Sequence, residues 1–202
     1  ACVALVVIAR PKATHWLALL CLVQLFEVFS GLPGGSNHWV FSAFCNVGFL
    51  AAWAGQITRR RTFTIDRDEL WESAGAVLRL NLVVLYFFVV FHKLNTDYFT
   101  LDLSCGSMFW AEQRRAFPAL PDGVFWRWFS IVSTVVIEAL IPLLLFVARG
   151  RARLCGALLA VGFHGAIGFN PQSGYYNFSS MVYALVFVFV ADDLIRALGR
   201  IH

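Results

Sequence analysis

The chain has 202 residues, of which 59% are hydrophobic and only 14% charged, with a formal net charge of +4 and a mean hydropathy of +0.71. A soluble domain carries roughly a quarter charged residues, so there is too little polar surface here to cover a water-facing globule. The basic residues stand between apolar runs, a placement that argues for membrane topology and against nucleic-acid binding.

A membrane-spanning helix needs about 20 mostly apolar residues. The chain opens at Ala1 inside an apolar run that ends at Ala9, and this reads as a fragment whose first helix is cut. Apolar segments then follow at His15–Ser30, His38–Ile57, Ala74–Lys93, Trp128–Ala148, Leu154–Phe169 and Tyr176–Val190. Two of them are short for a span, which calls for tilt or re-entry. The expected fold is all-α, a polytopic transmembrane bundle of about five to six spans.

The connections alternate in charge. Of sixteen basic residues, eleven fall on one set of alternate ends: Arg10 and Lys12, Arg59 to Arg61 with Arg67, Arg149 to Arg153, and Arg196 with Arg200. Three fall on the other set, and Arg79 and Lys93 belong to the helix between. Short basic loops stay cytoplasmic. That rule places Asn37, His38, the Lys93 end, the 94–125 segment and Asn170 on the extracytoplasmic side. The 94–125 segment holds Phe109-Trp110 and Phe117-Pro118-Ala119-Leu120-Pro121, apolar enough to lie on the membrane or fold back over a site.

Four of the five cysteines lie in or beside apolar runs, where cysteine behaves as a small hydrophobe. Cys105 alone falls in a polar segment. No CxxC and no Cys/His spacing suits zinc, so no metal site is expected.

Ionisable groups within spans are costly, and each needs a partner or a task. Arg79, Tyr86 and Lys93 recur every seven residues, about 20° short of two full helical turns, and so form one stripe. Lys93 reads either as a snorkelling lysine at a helix end or as a desolvated amine able to take a proton. Arg79 reads as an interface anchor or a partner for Glu72 or Glu138. Glu138, mid-span, must be protonated or paired. His164 lies among Gly162, Gly165 and Gly168, more typical of a hydrogen-bonded core residue than of a ligand.

Three stretches resemble the vitamin K-dependent γ-carboxylase family and its wider group, the horizontally transferred transmembrane (HTTM) domain. Ser36-Asn37-His38-Trp39-Val40-Phe41 is similar to the family's Asn-His helix opening. Arg79-x-Asn81, Tyr86 and His92-Lys93-Leu94-Asn95-Thr96-Asp97-Tyr98 resemble its Arg-x-Gln, Tyr and Lys-Lys-Leu-Asp-x-Asp-Trp run. His164 with Asn170, Phe178 and Met181 resembles its late His-x-x-Asn and Phe-x-x-Met region, with different spacing. His92, Asn81, Asn95 and Tyr98 depart from that pattern, and no stretch resembles the family's extramembrane β-rich domain.

The resemblance implies a single HTTM-like transmembrane domain over 1–202. It implies quinol-dependent carboxylation of glutamyl side chains in a protein substrate, with vitamin K hydroquinone or another quinol as cofactor and CO2 and O2 as co-substrates. Lys93 then acts as the base and His38 as a second active-site residue, while Tyr86, Asn37, His164 and Arg79 contribute to the cofactor site. Two rival readings stay open: a non-enzymatic lipid- or quinone-binding relative, and a small-solute transporter with Arg79, Glu138 and His164 along its path.

Overall fold

A computed structural model describes residues 2–32, 34, 37–170 and 175–199, apart from the side chains of Asn37 and Ala197. The described residues form eight α-helices and no strand: α1 (Cys2–Ala9), α2 (Thr14–Gly31), α3 (Asn37–Arg60), α4 (Arg67–Lys93), α5 (Cys105–Ala116), α6 (Val124–Phe146), α7 (Arg151–Gly168) and α8 (Tyr176–Leu198). Five of them, α2, α3, α4, α6 and α8, are long and apolar enough to cross a membrane. This is the helical make-up of an integral membrane protein, because only backbones that satisfy their own hydrogen bonds span lipid.

Contacts divide the chain into two compact units, residues 1–81 and 82–202. In the first unit, α4 starts seven residues before the expected Ala74 because Asp66 caps it. Its Oδ1 accepts the backbone N–H groups of Asp68 and Glu69, donors that a helix start otherwise leaves orphaned. Gln56 locks the same turn to α3 with two reciprocal bonds, Nε2 to the Asp66 carbonyl at 3.0 Å and Oε1 from the Asp66 N–H at 2.9 Å. Arg59 and Arg60 pair with Glu69, and Arg60 also pairs with Asp66. Gly48 lets α3 and α4 touch, since a Cβ there would lie 2.6 Å from Val77.

In the second unit, α7 carries the packing. Gly156, Ala160, His164 and Gly168 recur every fourth residue and are all buried, and the three small residues among them are of the kind that lets membrane helices approach closely. A Cβ on Gly156 would lie 2.6 Å from Leu144 of α6, and one on Gly168 would lie 3.0 Å from Ser179 of α8. Lipid tails are as apolar as leucine, so this fit, rather than escape from water, is what holds such helices together.

The 94–125 segment is not merely a loop. Its centre forms α5, which docks on the first half of α6. Gly106 makes the contact: a Cβ there would stand 3.2 Å from the Ile131 backbone and 3.1 Å from the Tyr98 hydroxyl. Ser130 Oγ donates to the Gly106 carbonyl at 2.9 Å. Arg127 clamps the preceding turn through Ser107 Oγ, the Leu101 carbonyl and Asp102. Gln113 reaches the Ala166 carbonyl of α7 at 3.2 Å.

Candidate functional site

Lys93 closes α4, where a cation suits the carbonyl end of the helix dipole, and its Nζ donates to the Val89 carbonyl at 3.4 Å. That end is not at the surface of the second unit. Nζ lies 2.7 Å from Glu138 Oε2, with the two side chains only 18% and 9% exposed. Glu138 stands fourteen residues after Val124 in α6, about 21 Å along that helix at 1.5 Å per residue. Lys93, half-buried, therefore forms an ion pair with a buried carboxylate instead of snorkelling. The separation is of hydrogen-bond length, although the approach to Oε2 is oblique.

Pro142, four residues after Glu138, has no N–H to return to the Glu138 carbonyl. A backbone acceptor is thereby freed by the helix at the level of the charged pair.

The residues after Lys93 fold back towards it. Asn95 donates to the His92 carbonyl and accepts the Tyr98 N–H at 2.9 Å, a local turn that competes with further helix. It delivers the Tyr98 ring to 5.9 Å from Lys93 Nζ, within cation–π range. The Tyr98 hydroxyl donates to the Ile131 carbonyl at 3.4 Å. Burial pushes the Tyr98 phenol above its ordinary value, so the ring serves as a neutral wall.

Lys93, Tyr98 and Glu138 share a cavity of about 250 Å³ with Cys105, Gly106, Phe109, Thr134, Phe163, Ile167, Tyr175 and Phe178. One pole holds an ion pair and the rest is largely aromatic. That is the make-up of a site for a flat, mostly apolar molecule with a polar atom at one end.

The other residues singled out from the sequence are placed differently. Tyr86 and His164, each 2% exposed, bond to each other, hydroxyl to Nε2 at 2.8 Å. His164 Nδ1 is buried without a partner, and its carbonyl accepts Ser179 Oγ at 2.9 Å. Neither lines the cavity with Lys93. Tyr86 instead borders a separate apolar groove of about 380 Å³ between α4 and α6, walled by Phe87, Phe91, Leu143 and Phe146. His38, half-buried at the start of α3, and Arg79 on α4 belong to the first unit. The side chain of Asn37 lies outside the described residues. Among the described residues, no three His, Cys, Asp or Glu side chains gather as a metal site.

Glu138 is the cavity residue whose sequence reading fell short. The signal was present: a mid-span carboxylate demands a cation, and Lys93 was at hand. Phe109 and Phe178 stand in stretches the sequence marks on other grounds, while the Phe163 wall carries no such signal in a chain with twenty phenylalanines. No family model matches the chain, and neither does any curated protein or solved structure.

Proposed function

We propose that this is an HTTM-type membrane protein whose aromatic cavity receives the head of a lipid-soluble quinol. Lys93 removes a proton from that head, the opening step of quinol-dependent carboxylation of glutamyl side chains. The observation that carries the reading is a half-buried amine lining a mostly apolar cavity at the end of α4, within the run of residues that resembles the carboxylases. A cavity walled largely by rings suits a planar head, which on binding would itself displace water from a reactive oxyanion. O2 then turns the oxyanion into the stronger base that draws the γ-proton, and the carbanion adds CO2. His38 is proposed as the second active-site residue, on the Asn37-His38 resemblance alone. In this reading the cavity faces the extracytoplasmic side, as the distribution of basic loops requires.

A second reading is favoured by one observation. The Lys93 amine sits 2.7 Å from the Glu138 carboxylate, a pairing that suits holding a quinone oxygen by hydrogen bond as well as abstracting a proton. On that reading the protein binds a quinone or lipid without turning it over.

The test is incorporation of labelled CO2 into a glutamate-containing peptide, driven by a naphthohydroquinone, in membranes holding the protein. The catalytic reading expects incorporation that Lys93→Ala abolishes. Incorporation unchanged in that variant contradicts the role of the lysine. Quinone binding without incorporation establishes the second reading.

A further inference from the structure

Lys93 cannot act as a base while it holds its own third proton, so a cavity built around it needs somewhere for that proton to go. The surroundings offer few destinations. The Val89 carbonyl accepts a hydrogen bond from Nζ but cannot take the proton. Tyr98 presents its ring face at 5.9 Å, and its hydroxyl is engaged with the Ile131 carbonyl. Thr134 is a neutral alcohol, and the remaining titratable groups on the wall are the Cys105 thiol at the start of α5 and the Tyr175 phenol, neither of which is paired with Nζ in an ion pair. Tyr86 has its hydroxyl occupied by His164. Glu138 Oε2 lies 2.7 Å from Nζ and accepts no well-angled hydrogen bond from any other group.

We propose that Glu138 is the proton store of Lys93, and that filling the cavity with an apolar ring system drives the proton across. The step breaks one Nζ–H bond and forms one O–H bond on Oε2. It converts ammonium and carboxylate into amine and carboxylic acid with no change in net charge. Before the ligand arrives, water in the cavity solvates both charges. A ring that displaces this water removes the solvation, and two buried charges then cost more than their attraction returns unless geometry is excellent. The oblique contact at 2.7 Å is not of that kind. The amine so released takes the quinol O–H proton, leaving ammonium beside the new oxyanion and an uncharged Glu138 beyond it. Had Glu138 stayed ionised, the oxyanion would face a like charge across the lysine. When the ligand leaves, water returns and Glu138 gives its proton back to the solvent.

This rests on the quinol reading of the same cavity, and the experiment separates the two. Infrared difference spectra would be recorded on the protein in lipid nanodiscs with and without 2-methyl-1,4-naphthoquinone. That oxidised probe fills the cavity but has no O–H to donate, and its binding is followed independently by tryptophan quenching. The expected result is a protonated-carboxyl C=O band that grows with occupancy, shifts in D2O, and is missing in Glu138→Gln although the variant still binds. Binding with no such band overturns the proton store and leaves the quinol site standing. Absence of binding overturns both. In turnover with a naphthohydroquinone, Glu138→Gln should lower kcat roughly a hundredfold, the usual scale for a lost acid–base group, with KM for the quinol little changed. Glu138→Asp should recover part of that loss. A Glu138→Gln variant with wild-type kcat also overturns the proposal, and one that raises KM alone makes the residue a binding contact only.

Discussion

Removing Lys93 without its partner leaves Glu138 as an uncompensated charge beside aromatic rings. Breaking one side of a buried pair typically costs about 3–5 kcal/mol, whereas replacing both sides with apolar groups of similar volume is often neutral. Lys93→Met should therefore destabilise the protein by about that amount in thermal unfolding in detergent, and Lys93→Met/Glu138→Leu should recover most of it. Equal losses in the single and double variants would show that the pair contributes nothing to the fold. The Tyr86–His164 bond makes a parallel case with neutral groups. Nδ1 already lacks a partner, so Tyr86→Phe would leave both ring nitrogens unpaired and should cost about 1–3 kcal/mol. At this scale the sequence shows which residues are out of place in lipid, Lys93, Glu138 and His164 among them. It does not show who pairs with whom. Periodicity puts Tyr86 and Lys93 on one stripe of α4, yet Tyr86 pairs with His164 and Lys93 with Glu138. That division depends on how α6 and α7 are set against α4, which no local pattern encodes.

Among the elements, α5 lines one wall of the cavity, beside residues of α6, α7 and α8, and it was the least legible. Its twelve residues, Cys105–Ala116, mix Gly106 and Ser107 with two arginines and two large aromatics, so neither hydropathy nor length marks a helix. What makes it one is docking on α6 through Gly106. Gly106→Val should push α5 away, because even a Cβ meets Ile131 and Tyr98 at 3.1–3.3 Å. The expected outcome is faster reaction of Cys105 with a bulky maleimide and loss of quinone binding. Unchanged rates on both counts would mean that α5 does not need the close contact. The spans were far more legible, since twenty apolar residues in a row leave the backbone little choice. Their ends were less so: α4 runs back to Arg67 because of a cap, not because of hydropathy. That cap has a pH signature. The Glu69 N–H, and next the Arg60 guanidinium, hold the Asp66 carboxyl below its ordinary value. Its contribution is complete above the ordinary carboxylate range and is lost as pH falls through the lowered value. The acid limb of thermal stability should accordingly be flatter in Asp66→Asn than in the wild type, and identical limbs would remove the cap from the account.

For the whole molecule, the orientation proposed from the charge pattern can be tested directly. Cys105, exposed and free, should react with an impermeant thiol reagent in intact cells. A cysteine introduced at Arg61 should stay unlabelled until the membrane is opened, and the reverse pattern would invert the orientation. Composition made the membrane class legible at once, because a polar shell cannot be assembled from so few charges. Of the candidate site, the lysine and the carboxylate were legible as residues; their pairing, the aromatic walls and the covering helix are brought together by tertiary packing. The most direct measurement of the central claim uses a photoreactive naphthoquinone in lipid nanodiscs, with the labelled peptides mapped by mass spectrometry. The account expects adducts on Tyr98, Phe109, Phe163 or Phe178, competed by unlabelled naphthoquinone. Competable adducts elsewhere, with none on these four, would contradict it.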